Sequence, residues 1–538
     1  MKKSNFLEGA FIATFAIIFT KVLGIVYVIP FYALIGEQGG ALYGYSYTIY
    51  NLFLSISTVG FPLAISKLTS EYNTLKLYNE KERLYKLSKK CILIFSVICF
   101  LVCFIFAPQI ANLIIGNIEN GNTIEDVSYT IRMVSFALLI VPLLSIIRGY
   151  LQGHKYMKEP SISQVIEQVV RVAVILGGSF LTVKVFNLSL KTTVGISVFA
   201  SAIGALFAYF YLVNVIRKNK KDIEPQEKTE EKLTNKEIIK KIIVYSIPFI
   251  IISCANQIYN STDMVIMLRT LSKFNYTGTE VETISSVFST WGTKFNAIII
   301  AIANGLIISL IPNIVNLYVK KDNKGVNSMF NKCLKIILLI NVPIAVFFSI
   351  NANSFWTIFY GPNRYGPLII KWNILITILD GLYLVVNSLL QSLSKYKILF
   401  ISVTIGILMN LGLDIPLMYL FNYIGLEAFY GAILATAMGL STSVIIALIY
   451  LKKEIKFNYN ETLKIIPKSI INIIILIVAN VIVSLILPIN SSSRLIQIIN
   501  ICVLAIITIP LYIILNKKYL KEILPENIIK LLNKFKLI

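Results

Sequence analysis

Four polar residues, Gln164, Glu167, Gln168 and Arg171, stand in an otherwise apolar stretch at the spacing i, i+3, i+4, i+7. On a helix this spacing draws a single stripe, because residues three and four apart share a face. Glu167 and Arg171 can pair as i, i+4 neighbours, which lowers the cost of inserting both. Such a stripe is either the wall of a wet cavity or a polar seam between helices. Cations recur in other apolar stretches: Lys21, Lys294 with Thr290 and Thr293 nearby, and Arg148 with Gly149 and Gln152 where a stretch ends. A cation deep in hydrocarbon costs about 2.5–3.5 kcal/mol on insertion scales, so each of these either snorkels to an interface or meets an anion. Lys21 and Lys294 read as anion-binding charges, and Arg148 as a greeting point for an anionic head group or as an ordinary positive anchor.

A second set is acidic and amide-rich. Asn256, Asn260 and Asp263 are spaced i, i+4, i+7, Asn410 and Asp414 are spaced i, i+4, and Thr436 follows in the next apolar stretch. Two carboxylates, amides and a hydroxyl can form an oxygen shell for a hard cation, a proton relay, or plain interhelical hydrogen bonds. Asp380 is a further acid in an apolar stretch. His154, the single histidine, reads as a solvated loop residue. No Walker A loop, GxSxG, HExxH or EF-hand loop occurs, and the six cysteines form no CxxC pair. The chemistry on offer is therefore binding and translocation of charge, with no resident cofactor and at most a bound ion.

The elements that carry these residues are membrane helices. The chain has 538 residues, is 56% hydrophobic and has a mean hydropathy of +0.76. About fourteen apolar stretches are each long enough to cross a bilayer, which predicts an all-α polytopic membrane protein. They run roughly 7–35, 41–66, 91–115, 128–150, 162–183, 192–216, 242–270, 284–316, 334–359, 367–391, 397–421, 427–451, 465–488 and 494–516. The net charge of +23 raises the question of nucleic acid, but its distribution answers it. Counted with the flanking helix ends, alternate connections hold 39 of the 50 Lys and Arg residues, and Gly116–Val127 on the other side is acidic. This is the positive-inside pattern, so both termini are expected in the cytoplasm, and no nucleic-acid partner is expected.

The expected organisation is an N-terminal lobe 1–216, a cytoplasmic linker 217–241, a C-terminal lobe 242–451, an extra helix pair 452–516 and an amphipathic tail 517–538 on the membrane surface. The lobes are weak repeats. Ala107–Gly116 aligns with Ala352–Gly361, Leu151-Gln152 with Leu390-Gln391, and Arg132 with Lys371. A transporter built from such repeats binds its substrate between them.

The segment Arg148-Gly-Tyr-Leu-Gln152 through Pro160, Gln164, Glu167, Gln168 and Arg171 resembles the MurJ-type lipid II flippases, closest to the Gram-positive branch that includes sporulation proteins. Thr20-Lys21-Val22-Leu23-Gly24, the run from Pro30 to Glu37, and Gly60–Lys67 fit as well, and the resemblance covers essentially the whole chain. It implies the fold of the multidrug/oligosaccharidyl-lipid/polysaccharide (MOP) exporters, with two six-helix lobes in a V and two extra C-terminal helices whose groove takes a lipid tail. It implies a multi-pass protein of the bacterial plasma membrane whose partners are membrane lipids and lipid II, an undecaprenyl-pyrophosphate-linked glycan carried to the outer leaflet by alternating access, without ATP hydrolysis. The family's sodium ligands would fall on Asp263, Asn410, Asp414, the Ala432 carbonyl and Thr436. Substrate would meet Lys21, Arg148, Gln164, Glu167, Arg171 and Lys294, whereas Tyr27 stands where the Gram-negative branch has an arginine. The alternatives are an exporter of another lipid-linked glycan, a cation-coupled drug exporter of the same fold and, more remotely, a polytopic glycosyltransferase. The short outer connections speak against the last.

Overall fold

The computed structural model describes residues 16, 19–58, 60–116, 121–154, 156–219, 233–301, 303, 314, 317–318, 320–454, 456–489, 491–524 and 526–534. The start of the first expected span, residues 220–232 of the linker and most of the second half of the eighth expected span lie outside them, as do the side chains of Asn256 and Asn260. The described residues form helices joined by short turns and irregular connections, and contain no strand. Eleven helices among them are long and apolar enough to cross a membrane. The chain packs as two compact units, Met1–Ser286 and Val287–Ile538.

The first unit contains α1 (Val28–Thr58), α2 (Gly60–Thr74), α3 (Tyr78–Ile105), α4 (Ala107–Ile115), α5 (Ile124–Gly153), α6 (Lys158–Phe180), α7 (Leu190–Lys218), α8 (Asn235–Leu271) and α9 (Gly278–Ser286). The first two expected spans are not parted by a loop. Helix continues through residues 36–40, and the break is confined to Gly36, whose φ of 65° suits a residue without Cβ. The seventh span, α8, belongs with the first six. At its basic end Ile238 and Ile242 bury against Leu68, Tyr72 and Leu84, while Arg83 donates to the Leu233 carbonyl and the Asn235 side chain at 3.0 and 2.6 Å. A capping box between Thr234 and Glu237 starts this helix. At the far end Arg269 donates to the carbonyls of Asn112 and Leu113 at 3.0 and 2.9 Å.

The same far end holds a buried clamp. The backbone N–H and side-chain amide of Asn122 each donate to one oxygen of Glu282 at 2.9 Å, and the amide also donates to the Gln38 carbonyl at 3.1 Å. Gly121 makes the approach possible, since a Cβ there would lie 2.9 Å from the Glu282 carboxyl carbon.

The second unit contains α10 (Asn323–Ile336), a π-turn Ile337–Asn341, α11 (Val342–Ile350), α12 (Ala352–Tyr360), α13 (Tyr365–Ser392), α14 (Tyr396–Tyr423), α15 (Phe429–Glu454), α16 (Asn460–Leu463), α17 (Ile466–Ser484), α18 (Arg494–Ile523) and α19 (Glu526–Lys534). The repeat is visible in detail. α4 and α12 are both nine residues long, and each ends on a glycine with positive φ, Gly116 at 58° and Gly361 at 86°. A long helix follows each, α5 and α13.

The tail departs from expectation. α18 runs on through Ile523, and Leu520 and Ile523 pack on Leu339 and Ile465. They therefore bury inside the unit, where the amphipathic pattern had placed them on a membrane surface.

Candidate substrate cavity and cation site

Close helix contacts set the site. α5 carries Gly149-Tyr-Leu-Gln-Gly153, and both glycines lie on the backbone of α2. A Cβ on Gly149 would stand 2.8 Å from Pro62 Cα, and one on Gly153 2.7 Å from the Ser66 carbonyl oxygen. Small residues one turn apart allow such approach in membrane helices. Gly204 on α7 does the same for α6, where a Cβ would meet the Glu167 carbonyl at 2.6 Å.

Between α1, α2, α5 and α6 lies a cavity of about 430 Å³. Each helix contributes one face: Tyr47, Tyr50, Leu54 and Thr58 from α1, Val141, Ser145, Arg148 and Gln152 from α5, and Gln164, Glu167 and Arg171 from α6. These spacings of three and four are those of single helical stripes. Arg171 lies thirteen residues into α6, roughly 20 Å along the helix at 1.5 Å per residue.

Glu167 is the hub. One of its oxygens accepts from Arg148 at 2.9 Å, and the other pairs with Arg171. Arg148 also donates to the Ser163 hydroxyl at 2.8 Å, and Arg171 to the Tyr47 hydroxyl at 3.3 Å. All three charged side chains are about 15% exposed or less. One carboxylate faces two guanidiniums, so the group keeps a net charge of +1. An ion pair alone would have cancelled its charge. This one presents an excess cation to whatever enters the cavity.

Four of the six expected substrate residues therefore meet in one place: Arg148, Gln164, Glu167 and Arg171. Lys21 does not line the cavity. It is exposed on a helix that passes α6 where Gly24 approaches Gln168. Lys294 is half-buried in the second unit, beside Thr293, whose hydroxyl donates to the Thr290 carbonyl at 2.7 Å. Of the tyrosines beside the cavity the sequence singled out Tyr27 alone, and Tyr43, Tyr47 and Tyr50 escaped it. Tyr27, buried, places its hydroxyl 3.4 Å from that of Tyr43, and Tyr43 stacks on Tyr47. The spacing Tyr43, Tyr47, Tyr50 was the available signal, but it is equally the signature of an aromatic core face. His154 is a correction. It is 6% exposed, with Nδ1 2.9 Å from the Tyr150 carbonyl oxygen and its ring between Tyr150 and Tyr156. Two flanking tyrosines give an imidazole more than water does.

In the second unit Asn410 and Asp414 are fully buried and in contact, the amide donating to the carboxylate at 3.4 Å. Gly439 lets α15 close on Asn410, and Thr436 donates to the Ala432 carbonyl at 3.0 Å. A buried carboxylate and amide oxygen fit a hard cation. Asp263 is buried in the first unit.

Residues 6–279 match the family model described as polysaccharide biosynthesis protein. Over 469 residues the chain is 32% identical to the lipid II flippase MurJ of Bacillus subtilis, covering 86% of this chain and 85% of that one. The chain belongs to the MurJ-type flippase family. Stage V sporulation protein B of the same organism is 27% identical over 249 residues, 46% of each chain. Among solved structures, MurJ in an inward closed conformation matches with a TM-score of 0.64 at 17% identity, covering 95% of this chain and 99% of that one. An inward-facing MATE-family multidrug transporter of the MOP superfamily matches with a TM-score of 0.65 at 12% identity, covering 81% and 94%. These MurJ-type and MATE relatives are transporters, and this chain is a multi-pass membrane transporter rather than an enzyme.

Proposed function

We propose that this MurJ-type protein is a flippase that carries an undecaprenyl-pyrophosphate-linked peptidoglycan precursor, lipid II, across the bacterial plasma membrane from the basic, cytoplasmic end to the far side. The observation that carries the reading is the net-positive triad of Arg148, Glu167 and Arg171 in a cavity of about 430 Å³. A pyrophosphate crossing about 30 Å of hydrocarbon needs cationic donors in place of water. Guanidiniums suit it because they pair phosphate oxygens with two parallel N–H bonds. Glu167 keeps the arginines tolerable in the empty state, and the excess charge draws the head group in. The reading rests on the triad; Lys21, which is exposed and does not line the cavity, and Lys294, in the second unit, carry no part of it.

The test is transport in proteoliposomes carrying lipid II in one leaflet. The wild type should move it, and folded Arg171→Ala should move it at least tenfold more slowly. Wild-type protein that leaves lipid II in place but moves another lipid-linked glycan would reassign the substrate.

Sodium coupling is part of the proposal, on Asn410, Asp414, the Ala432 carbonyl and Thr436 of the second unit. A bound sodium would supply a positive charge that relieves the buried Asp414. In purified protein, sodium should raise the melting temperature of the wild type and leave that of Asp414→Asn unchanged. An equal sodium response in both would remove Asp414 from the ion site.

A further inference from the structure

Beside the charged cavity lies a second one of about 570 Å³, and the two share Leu63 and Gln152. It runs toward the basic end of the bundle along one face of α2, through Ser66, Lys67, Ser70, Glu71 and Thr74. From Leu63 to Thr74 that face extends about 16 Å at helical rise. Its chemistry differs from that of the inner cavity. The Lys67 ammonium sits 4.1 Å over the Tyr245 ring, and Glu71 is 3.8 Å from Lys241, so both charges are turned to α8. Besides Leu63 and Leu75 at its two ends, the side chains left to line the space are hydroxyls and an amide. Those of Ser66, Ser70 and Gln152 are half-buried and make no side-chain hydrogen bond among the described residues.

Half-buried polar groups without protein partners are bonded to water or to a ligand, because leaving them bare costs about 1–3 kcal/mol each. Both cavities fall within the roughly 300–1,000 Å³ typical of small-molecule sites. A pyrophosphate held by Arg148 and Arg171 fills only the inner one. Whatever is linked to that pyrophosphate must occupy the space that opens beside it.

We infer that the outer cavity is a second subsite, which takes the hydroxyl- and amide-bearing glycan of the lipid-linked substrate while the arginines hold its pyrophosphate. This rests on the flippase reading and adds to it a division of labour: charge recognised by α5 and α6, glycan recognised by α2. Gln152, at the junction, faces both. Discrimination between lipid-linked glycans then lies in Ser66 and Ser70, because a site built to hydrogen-bond a hydroxyl rejects a ligand that lacks it.

The test compares two lipids on purified full-length protein in detergent: undecaprenyl pyrophosphate, which has no glycan, and lipid II. The double variant Ser66→Ala/Ser70→Ala should bind lipid II about tenfold more weakly, the size expected for two lost hydrogen bonds, and bind undecaprenyl pyrophosphate as the wild type does. Ser70→Phe, which fills the space, should show the same split more strongly. Arg148→Ala should weaken both lipids together. Equal loss for both lipids in the serine variants, or no loss for lipid II, overturns the subsite and leaves the flippase reading standing. A wild type that binds neither lipid overturns both.

Discussion

Glu167 touches two arginines at once, and the consequences of removing its charge follow from that count. Glu167→Gln leaves the cavity with a net charge of +2 in place of +1. Pyrophosphate should then bind more tightly, while transport slows because release of the anion becomes the difficult step. Arg171→Ala should weaken binding instead. Equilibrium binding of undecaprenyl pyrophosphate and the transport rate, measured on both variants, separate the two effects. Weaker binding by Glu167→Gln would mean that the carboxylate only holds the arginines in place. The stripe Gln164, Glu167, Arg171 was legible in the sequence because a 3.6-residue period needs no knowledge of neighbours. Its second partner was not. Arg148 reads equally as a head-group contact or an anchor until α5 is seen to close on α6. The direction of Lys21 was equally hidden, since a period fixes which residues share a face and not which face meets the cavity.

At the scale of elements, α2 and α5 define the cavity by touching through glycine. Gly149→Ala puts a methyl 2.5 Å from the Pro62 carbonyl oxygen, and a backbone atom cannot step aside as a flexible side chain can. Overpacking of this kind costs about 1–3 kcal/mol. The variant should melt at a lower temperature and lose affinity for undecaprenyl pyrophosphate, because Arg148 sits next to the displaced residue. Gly177→Ala is the control: nothing lies within 4 Å of its added methyl, so it should melt no lower than the wild type and keep its affinity. An unchanged melting temperature for Gly149→Ala would show that the helices can part without cost. Much of this level could be read in advance. The paired nine-residue helices α4 and α12 appear in the sequence as an aligned run ending in glycine. The absence of a loop at residues 36–40 could not be read, because a single positive-φ glycine replaces a whole turn there.

For the whole molecule, the orientation in the membrane decides what the cavity can do. A site that opens toward the basic end receives substrate from the cytoplasm only if the positive-inside rule holds here. That rule rests on loop charge, and the far-end connections are short and poor in Lys and Arg. The structure changes where it can be tested. His154 and Asn122 lie in connections on opposite sides but are buried, so tags there would report packing. Lys76, Lys397 and Lys453 are exposed near the basic end, and on the other side Asn187 and Asn275 are exposed in connections and Asn422 at the end of α14. Single cysteines at the second three should react with a membrane-impermeant maleimide in intact cells. Those at the first three should react only after the membrane is opened. A reactive cysteine at Lys453 with a silent one at Asn422 would invert the C-terminal helices. The arginines lie in the first unit, so the pair that decides their orientation is Lys76 against Asn187. An inverted bundle would offer its anion site to the outer medium, where a precursor made in the cytoplasm is not found before it has crossed.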